Sequence, residues 1–285
     1  MAGLRDTAAA WLAAGHAAVR VEVTAARGSV PRAPGTRMLV SATACAGTIG
    51  GGHLELKAIA QARAMLAAVD ASAQSAHYPL GPALGQCCGG AVSLGFSMLD
   101  AQALGDWPVA APRFYLQLFG AGHVGRAIAR ALVPLDVVVD WIDEREDQYP
   151  TRFFEHHAPW PGHIRKVCVD AVDAEVRAAP SGAFYLVLTH QHDLDLQITE
   201  AILKRGDFGF LGLIGSKTKK QRFIHRFEQR GIAPELIERI TCPIGVPGIT
   251  GKEPEVIAAA VVAQLLQSAP RGGEKHLGRP GVCFL

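Results

Sequence analysis

The sequence predicts an α/β chain of two unlike domains, the second a doubly wound parallel sheet, and three observations predict it. From residue 113 onward, apolar segments alternate between strand-like and helix-like patterns, as β-α-β units require. A glycine turn, Gly120-Ala121-Gly122-His123-Val124-Gly125, separates the first of these strands from the first helix. Ahead of it, Asp106-Trp107-Pro108 and Ala111-Pro112-Arg113 mark a seam, because two prolines so close together disfavour both continuous helix and central strand. The expected organisation is an N-terminal α/β domain over 1–105, a Rossmann-like domain over 113–268 and a Gly, Pro and Arg-rich tail over 269–285. A chain of 285 residues is long enough for about two cores.

Within the first domain, a helix is expected over the first dozen residues. Val19, Val21 and Val23 alternate with charged or small residues between Ala17 and Ala25, the period of a strand. Met38 to Val40 suggests a second strand, and glycines 50–52 a sharp turn. A helical pattern follows to about Val69, with Ile59, Arg63 and Leu66 on one side and the arginine stem lying along the apolar surface. Gly90 to Leu99 reads as a returning strand.

In the second domain, Phe114 to Phe119 is an apolar strand. Val124, Ala127, Ile128, Ala131 and Leu132 follow the glycine turn at helix-face spacing. Further strands are expected at Val137–Ile142, Ile164–Val169, Phe184–Leu188 and Phe208–Ile214. Helices fit at Leu196–Lys204 and Thr218–Arg230, and Pro254 is placed to start another.

Composition narrows the function. The chain has 28 basic and 26 acidic side chains, which argues against a dedicated nucleic-acid or acidic-membrane binder. No apolar run is long enough to span a bilayer, and Arg5, Asp6 and His16 interrupt the alanine-rich start. The expectation is a cytoplasmic protein without a secretory signal. Six cysteines with no C-x-x-C support neither a disulfide framework nor a zinc ribbon.

The residues with chemical potential lie in turns. Gly120, Gly122 and Gly125 fit G-x-G-x-x-G in the strand–turn–helix context that gives the motif meaning, with His123 opening the helix. Such a turn lets an anion approach backbone N–H groups at a helix start. Asp143, at the end of the next strand, stands where a ribose contact is expected, with Asp140 as the other choice. The turn is equally consistent with packing alone and no bound dinucleotide.

Thr189-His190-Gln191-His192-Asp193-Leu194-Asp195 resembles the T-H-x-H-x-D-H metal loop of metallo-β-lactamase-type hydrolases, but the register fails at Leu194 and Asp195. The loop follows a presumed strand and so should lie at the carboxyl edge, which makes His190 and Asp195 candidates for a site. The alternative is a helix capped by Asp193 or Asp195. Gly215-Ser216-Lys217-Thr218-Lys219-Lys220 puts cations at a helix start, a conflict with the dipole that a bound anion would relieve. Otherwise the lysines are solvated and Ser216 caps the helix.

In the first domain, Arg27, Arg32 and Arg37 flank a constrained loop and suit phosphate or carboxylate, or a hairpin surface. Gly50, Gly51 and Gly52, followed by Glu55, suggest close approach of something to the backbone. Cys87 and Cys88 precede Gly89-Gly90, and a thiolate there would be a soft ligand or a nucleophile.

Together these segments resemble the XdhC/CoxI family, the xanthine dehydrogenase accessory proteins. Arg27-Gly28-Ser29-Val30-Pro31-Arg32, Gly47-Thr48-Ile49-Gly50-Gly51-Gly52 with Glu55, and Cys88-Gly89-Gly90 are similar to its amino-terminal signature. Phe119 to Gly125, Asp143 with Arg145, Thr189-His190 with Asp195, and Gly212-Leu213-Ile214-Gly215-Ser216-Lys217 are similar to its carboxy-terminal one. Pro243-Ile244-Gly245 and Pro254 to Ala258 resemble its closing segment. The Gln191-His192-Asp193 segment is more His-rich than the family pattern, which leaves the role of His192 open.

The resemblance implies a binding protein for the molybdenum cofactor (molybdopterin) more than an independent catalyst. Such a protein protects its cargo while a cysteine desulfurase supplies sulfur, then delivers it to apo xanthine dehydrogenase. The implied site is Cys87 or Cys88 near molybdenum, with Cys88 as the metal contact, and Gly120–Gly125 and Gly215–Lys217 around the anionic group. The cargo is expected in a cleft between the two domains. A homodimer is a family-level expectation. The rivals are an NAD(P)-dependent oxidoreductase with His190 as proton donor, a metal-dependent hydrolase built on His190 and His192, and a docking protein that binds nothing.

Overall fold

A computed structural model of the chain describes residues 3–68, 72–80, 89–108, 111–152 and 160–270. The chain divides into two compact units between residues 110 and 111.

In the first unit, α1 (Leu4–Ala13) leads into β1 (Ala18–Arg27), β2 (Arg37–Ser41) and β3 (Cys45–Gly47). There follow α2 (Gly52–Ala67), β4 (Gln74–Pro79), β5 (Ala91–Met98) and α3 (Ala101–Gly105). The five strands pair in the order β3-β2-β1-β5-β4, each pair antiparallel. The valine alternation in β1 works as expected: Val19, Val21 and Val23 are buried together with Met38, Val40, Leu94 and Phe96.

The buried stripe of α2 differs from the expected one. Leu54, Ala58, Ala62 and Met65 face the core, Ile59 and Leu66 only flank it, and Arg63 is exposed. Small alanines let a helix lie close on a sheet, and in so alanine-rich a segment the apolar stripe is poorly marked. Neither β3 nor β4 follows from hydrophobic periodicity. Both are edge strands with exposed and half-buried residues, and they exist because a neighbouring strand offers backbone partners.

The second unit contains β6 (Tyr115–Phe119), α4 (His123–Leu132), β7 (Val138–Asp143) and β8 (Ile164–Cys168). It continues with α5 (Val172–Ala178), β9 (Phe184–Val187), α6 (His192–Arg205), β10 (Phe210–Leu213) and α7 (Lys217–Gln229). The last elements are α8 (Pro234–Glu238), β11 (Ile240–Thr241) and α9 (Pro254–Ser268). Their order across the sheet is β11-β10-β9-β6-β7-β8, all parallel. Counted within this unit the order is 6-5-4-1-2-3, the doubly wound arrangement. One apolar cluster packs the sheet against α4 and α9, and a second packs it against α5 to α8. Strand order reverses between β6 and β9, so their carboxyl ends diverge into connections on opposite faces. This is where such sheets leave a crevice for ligands.

Among the described residues, no helix is long and apolar enough to cross a membrane.

Candidate functional site

The glycine turn after β6 is built by contacts that exclude side chains. Gly120 has φ +116°, and a Cβ there would lie 2.3 Å from the Leu188 carbonyl oxygen. A Cβ on Gly125 would lie 2.0 Å from the oxygen of Gly120. These two glycines therefore pack the first turn of α4 against β6 and β9. Gly122 is different, because nothing lies within 4 Å of where its Cβ would be. It forms the N-cap of α4 without a side-chain cap, and His123 follows as an exposed residue. The turn thus combines two packing glycines with one that leaves the backbone open, the division of labour expected of a phosphate-approach turn.

Asp143 ends β7, and its side chain is only 3% exposed. Its Oδ2 accepts from the Ala121 N–H at 2.6 Å and from Arg145 Nη2 at 3.0 Å. Its Oδ1 accepts from the Arg145 backbone N–H and Nε, both at 2.9 Å. Both oxygens are engaged inside the protein, so Asp143 holds the glycine turn and the Arg145 fork in place. That is a different role from the ribose contact its spacing suggested. Asp140 is no substitute, because it is paired with Tyr115 and Arg165 within the sheet.

Burial works against the Asp143 carboxylate, but Arg145 and the Ala121 N–H outweigh it and hold its pKa below the ordinary value. The unfolded chain then takes up this proton first as pH falls. The stabilisation is complete above the ordinary aspartate value of about 4, and is lost as pH drops through the lower native value. Arg145→Gln is expected to lose stability at neutral pH and to show a shallower acid limb in a pH series of thermal melts. Superimposable acid limbs for the two proteins would contradict the assignment.

The loop after β9 forms the second half of the crevice. Asp195, on the first turn of α6, has a side chain 2% exposed. Its Oδ1 accepts from the Thr189 N–H at 2.9 Å and the Thr189 hydroxyl at 2.7 Å. Its Oδ2 accepts from Lys219 Nζ at 2.6 Å, and Lys219 also donates to the Ile214 carbonyl at 2.8 Å. One buried ion pair therefore ties the ends of β9 and β10 to the starts of α6 and α7. Asp195 is not the helix cap that the sequence allowed: Gln191 is the N-cap of α6 and makes no side-chain cap bond. Ser216 does cap α7, accepting from the Lys219 N–H.

Thr189, His190, Gln191, His192, Asp195, Ile214, Gly215, Ser216 and Lys219 line a cavity of about 260 Å³. Four of the residues expected from sequence, His190, Asp195, Gly215 and Ser216, thus share one space. Lys217 is exposed on α7 and is not part of this lining. Lys219 takes the place the sequence suggested for it. The missing signal was its partner, because only the adjacency of β9 and β10 brings it to Asp195. His190 Nε2 also lies 3.6 Å from Glu144 Oε1 and 2.8 Å from the Gln191 amide nitrogen. The Glu144 contact links the loops after β7 and β9. Among the described residues, no group of three or more His, Cys, Asp or Glu is placed to hold a metal ion.

The first-unit motifs also converge. Glu55 Oε2 accepts from the Thr48 hydroxyl at 2.6 Å and from the N–H groups of Ile49 and Gly51 at 3.2 and 3.0 Å. Glu55 thereby shapes the Gly50-Gly51-Gly52 turn. What approaches Gly50 closely is the chain itself, since a Cβ there would lie 2.5 Å from Pro31 Cγ. A Cβ on Gly90 would likewise lie 2.3 Å from the Ser29 oxygen. Gly51 faces open space. Arg37 is engaged by Glu22 at 2.8 Å and lies over the Trp107 ring, whereas Arg27 and Arg32 are exposed. Cys87 and Cys88 lie outside the described residues.

A parallel sheet of this order, with an open glycine turn and a polar cavity at its carboxyl edge, defines a Rossmann-type domain joined to a separate antiparallel unit. The chain belongs to the XdhC/CoxI family: residues 116–265 match the XdhC Rossmann domain, and residues 11–77 match the XdhC and CoxI family. It is 30% identical to YqeB of Escherichia coli (strain K12), described as uncharacterized, over 88% of this chain and 44% of that protein. The chain therefore spans less than half the length of this relative. The crystal structure of BH1974 from Bacillus halodurans, described as a xanthine dehydrogenase, matches with a TM-score of 0.74 at 18% identity. That match covers 93% of this chain and 95% of the other, and it concerns the fold.

Proposed function

We propose that the chain binds the molybdenum cofactor as cargo, shields it while its terminal sulfur is installed, and passes it to apo xanthine dehydrogenase. The family is associated with xanthine dehydrogenase maturation. The observation that carries the reading is the cavity walled by Asp195, Lys219, His190 and Ser216 at the carboxyl edge of the sheet. Molybdopterin offers a hydrogen-bonding pterin, a phosphate and a metal dithiolene. The cavity supplies hydrogen-bonding partners, and the open Gly122 backbone at the start of α4 gives a phosphate a place to approach.

In this reading, the Asp195–Lys219 pair and Asp143 each hold one side of the crevice in place. Preorganisation of that kind lowers the entropy lost on binding. A cysteine desulfurase is the proposed sulfur donor. Cys87 or Cys88 is the proposed thiol, with Cys88 facing molybdenum. A homodimer remains part of the proposal.

The test is retention. The chain is purified from a host able to make molybdenum cofactor and oxidised, and pterin fluorescence is compared with that of a control protein. Excess pterin supports the reading, and none above the control refutes it. A Cys88→Ala variant is expected to retain pterin but mature xanthine dehydrogenase poorly. Normal maturation would remove that thiol from the mechanism. An NAD(P)-dependent oxidoreductase is the second reading, favoured by the open Gly122 turn but disfavoured by the full engagement of Asp143. Calorimetric titration with NAD and NADP separates the two.

A further inference from the structure

The cavity at the carboxyl edge has walls whose charges cancel. Lys219 is the cation in its lining, and Asp195, 2.6 Å away, offsets it. Lys220 turns its ammonium to the Ile240 carbonyl at 3.0 Å. Lys217 is not in the lining. Nearby, Arg226 pairs with Asp193 at 3.6 Å, and His190 faces Glu144. A phosphate entering this space would find no uncompensated cation and would sit beside a buried carboxylate. Like charges at short range in a weakly screened site repel strongly.

The walls do offer hydrogen-bonding groups to an uncharged ligand. Lys219 has three ammonium protons, two of them engaged by Asp195 and Ile214. The remaining donor is joined by the His192 imidazole and by the Gln191 amide, whose nitrogen also faces His190 Nε2 at 2.8 Å, while Ile214 adds an apolar surface. The volume, about 260 Å³, is enough to admit one fused bicyclic ring.

We propose that this cavity takes the uncharged pterin ring of the cargo and not its phosphate. The proposal rests on the cofactor-binding reading and deepens it by assigning one part of the ligand to one place. It replaces the expectation that Gly215, Ser216 and Lys217 hold the anionic group. The ring's amide carbonyl would accept from Lys219, and its ring nitrogens would bond Gln191 and His192.

The experiment titrates the full chain with free pterin, read by quenching of the pterin's own fluorescence. Saturable binding is expected. It should change little with added salt, because the pterin ring is uncharged and screening weakens charge–charge attraction. Inorganic phosphate should not compete. Gly215→Ala tests the geometry: its new Cβ would lie 2.6 Å from Lys219 Cδ and push that side chain off the wall. Loss of the Lys219 contact should weaken pterin binding about tenfold, with circular dichroism confirming that the variant is folded. If Gly215→Ala misfolds, His192→Ala at the exposed rim serves instead, with a loss of about threefold expected.

Displacement by phosphate, no binding of free pterin, or unchanged affinity in a folded Gly215→Ala protein would overturn the assignment. Cofactor retention from the host is scored separately. Retention without binding of free pterin sinks this proposal alone, and pterin binding without retention sinks the cofactor reading and leaves a pterin site without its cargo.

Discussion

Lys219→Met is expected to destabilise the parallel-sheet unit by about 3–5 kcal/mol, the usual loss when one partner of a buried ion pair is removed. Lys219 and Asp195 are 11% and 2% exposed at their side chains, so water compensates only in part for the missing ammonium. Asp195 would keep its two bonds from Thr189, which places the loss toward the lower end of that range. Urea denaturation measures it directly. The double variant Asp195→Leu/Lys219→Met should recover much of the loss, because the uncompensated charge goes with its partner. Both variants should lose pterin binding, since the cavity wall changes in each. A loss under about 1 kcal/mol for the single variant, typical of exposed pairs, would show that the pair is solvated in solution.

Gly125→Ala should destabilise by about 3 kcal/mol or more, for a steric reason independent of charge. The added methyl would stand 2.0 Å from the Gly120 carbonyl oxygen. That oxygen is backbone and also accepts from the Trp141 indole at 3.0 Å, so it cannot give way without moving β6 or α4. Gly122→Ala is the comparison. Its φ is −69° and nothing lies near the new methyl, so its melting temperature should stay close to that of the parent. Equal melting temperatures for Gly125→Ala and the parent would show that α4 does not pack on β6 this closely.

Much of the second unit was legible because local signals agreed with one another. Phe114 to Phe119 is apolar, Gly120 to Gly125 turns, and Val124 to Leu132 repeats at helix spacing. Each expectation fits the same β-α-β unit, and consistency across levels is what makes a segment readable. The strands from β6 to β10 fall within a residue or two of their expected bounds. The short helices α5 and α8 passed unnoticed, since they give too few residues for a period to emerge. In the first unit, the alanines of α2 hid which side is buried, and the polar edge strands β3 and β4 left no apolar rhythm to find.

The candidate site was legible as a set of turns, not as a set of roles. Thr189-His190, Asp195 and Gly215-Ser216 stood out by position after strands, and the fold does gather them around one cavity. Asp143 and Glu55 stood out as acids, but the fold engages both in shaping glycine turns. Lys217 and Lys219 were indistinguishable in the sequence as neighbouring cations at a helix start.

By itself, the amino-acid order determined the class of the second unit, the position of its ligand-approach turn and the residues from which a site could be drawn. These depend on backbone freedom and short-range periodicity, which neighbours along the chain encode. Tertiary structure alone decided that Lys219 answers to Asp195, 24 residues earlier, and that Asp143 answers to the Ala121 N–H. Charge pairing and burial depend on which strands lie side by side, and the parallel order that places β9 beside β10 is a property of the folded sheet.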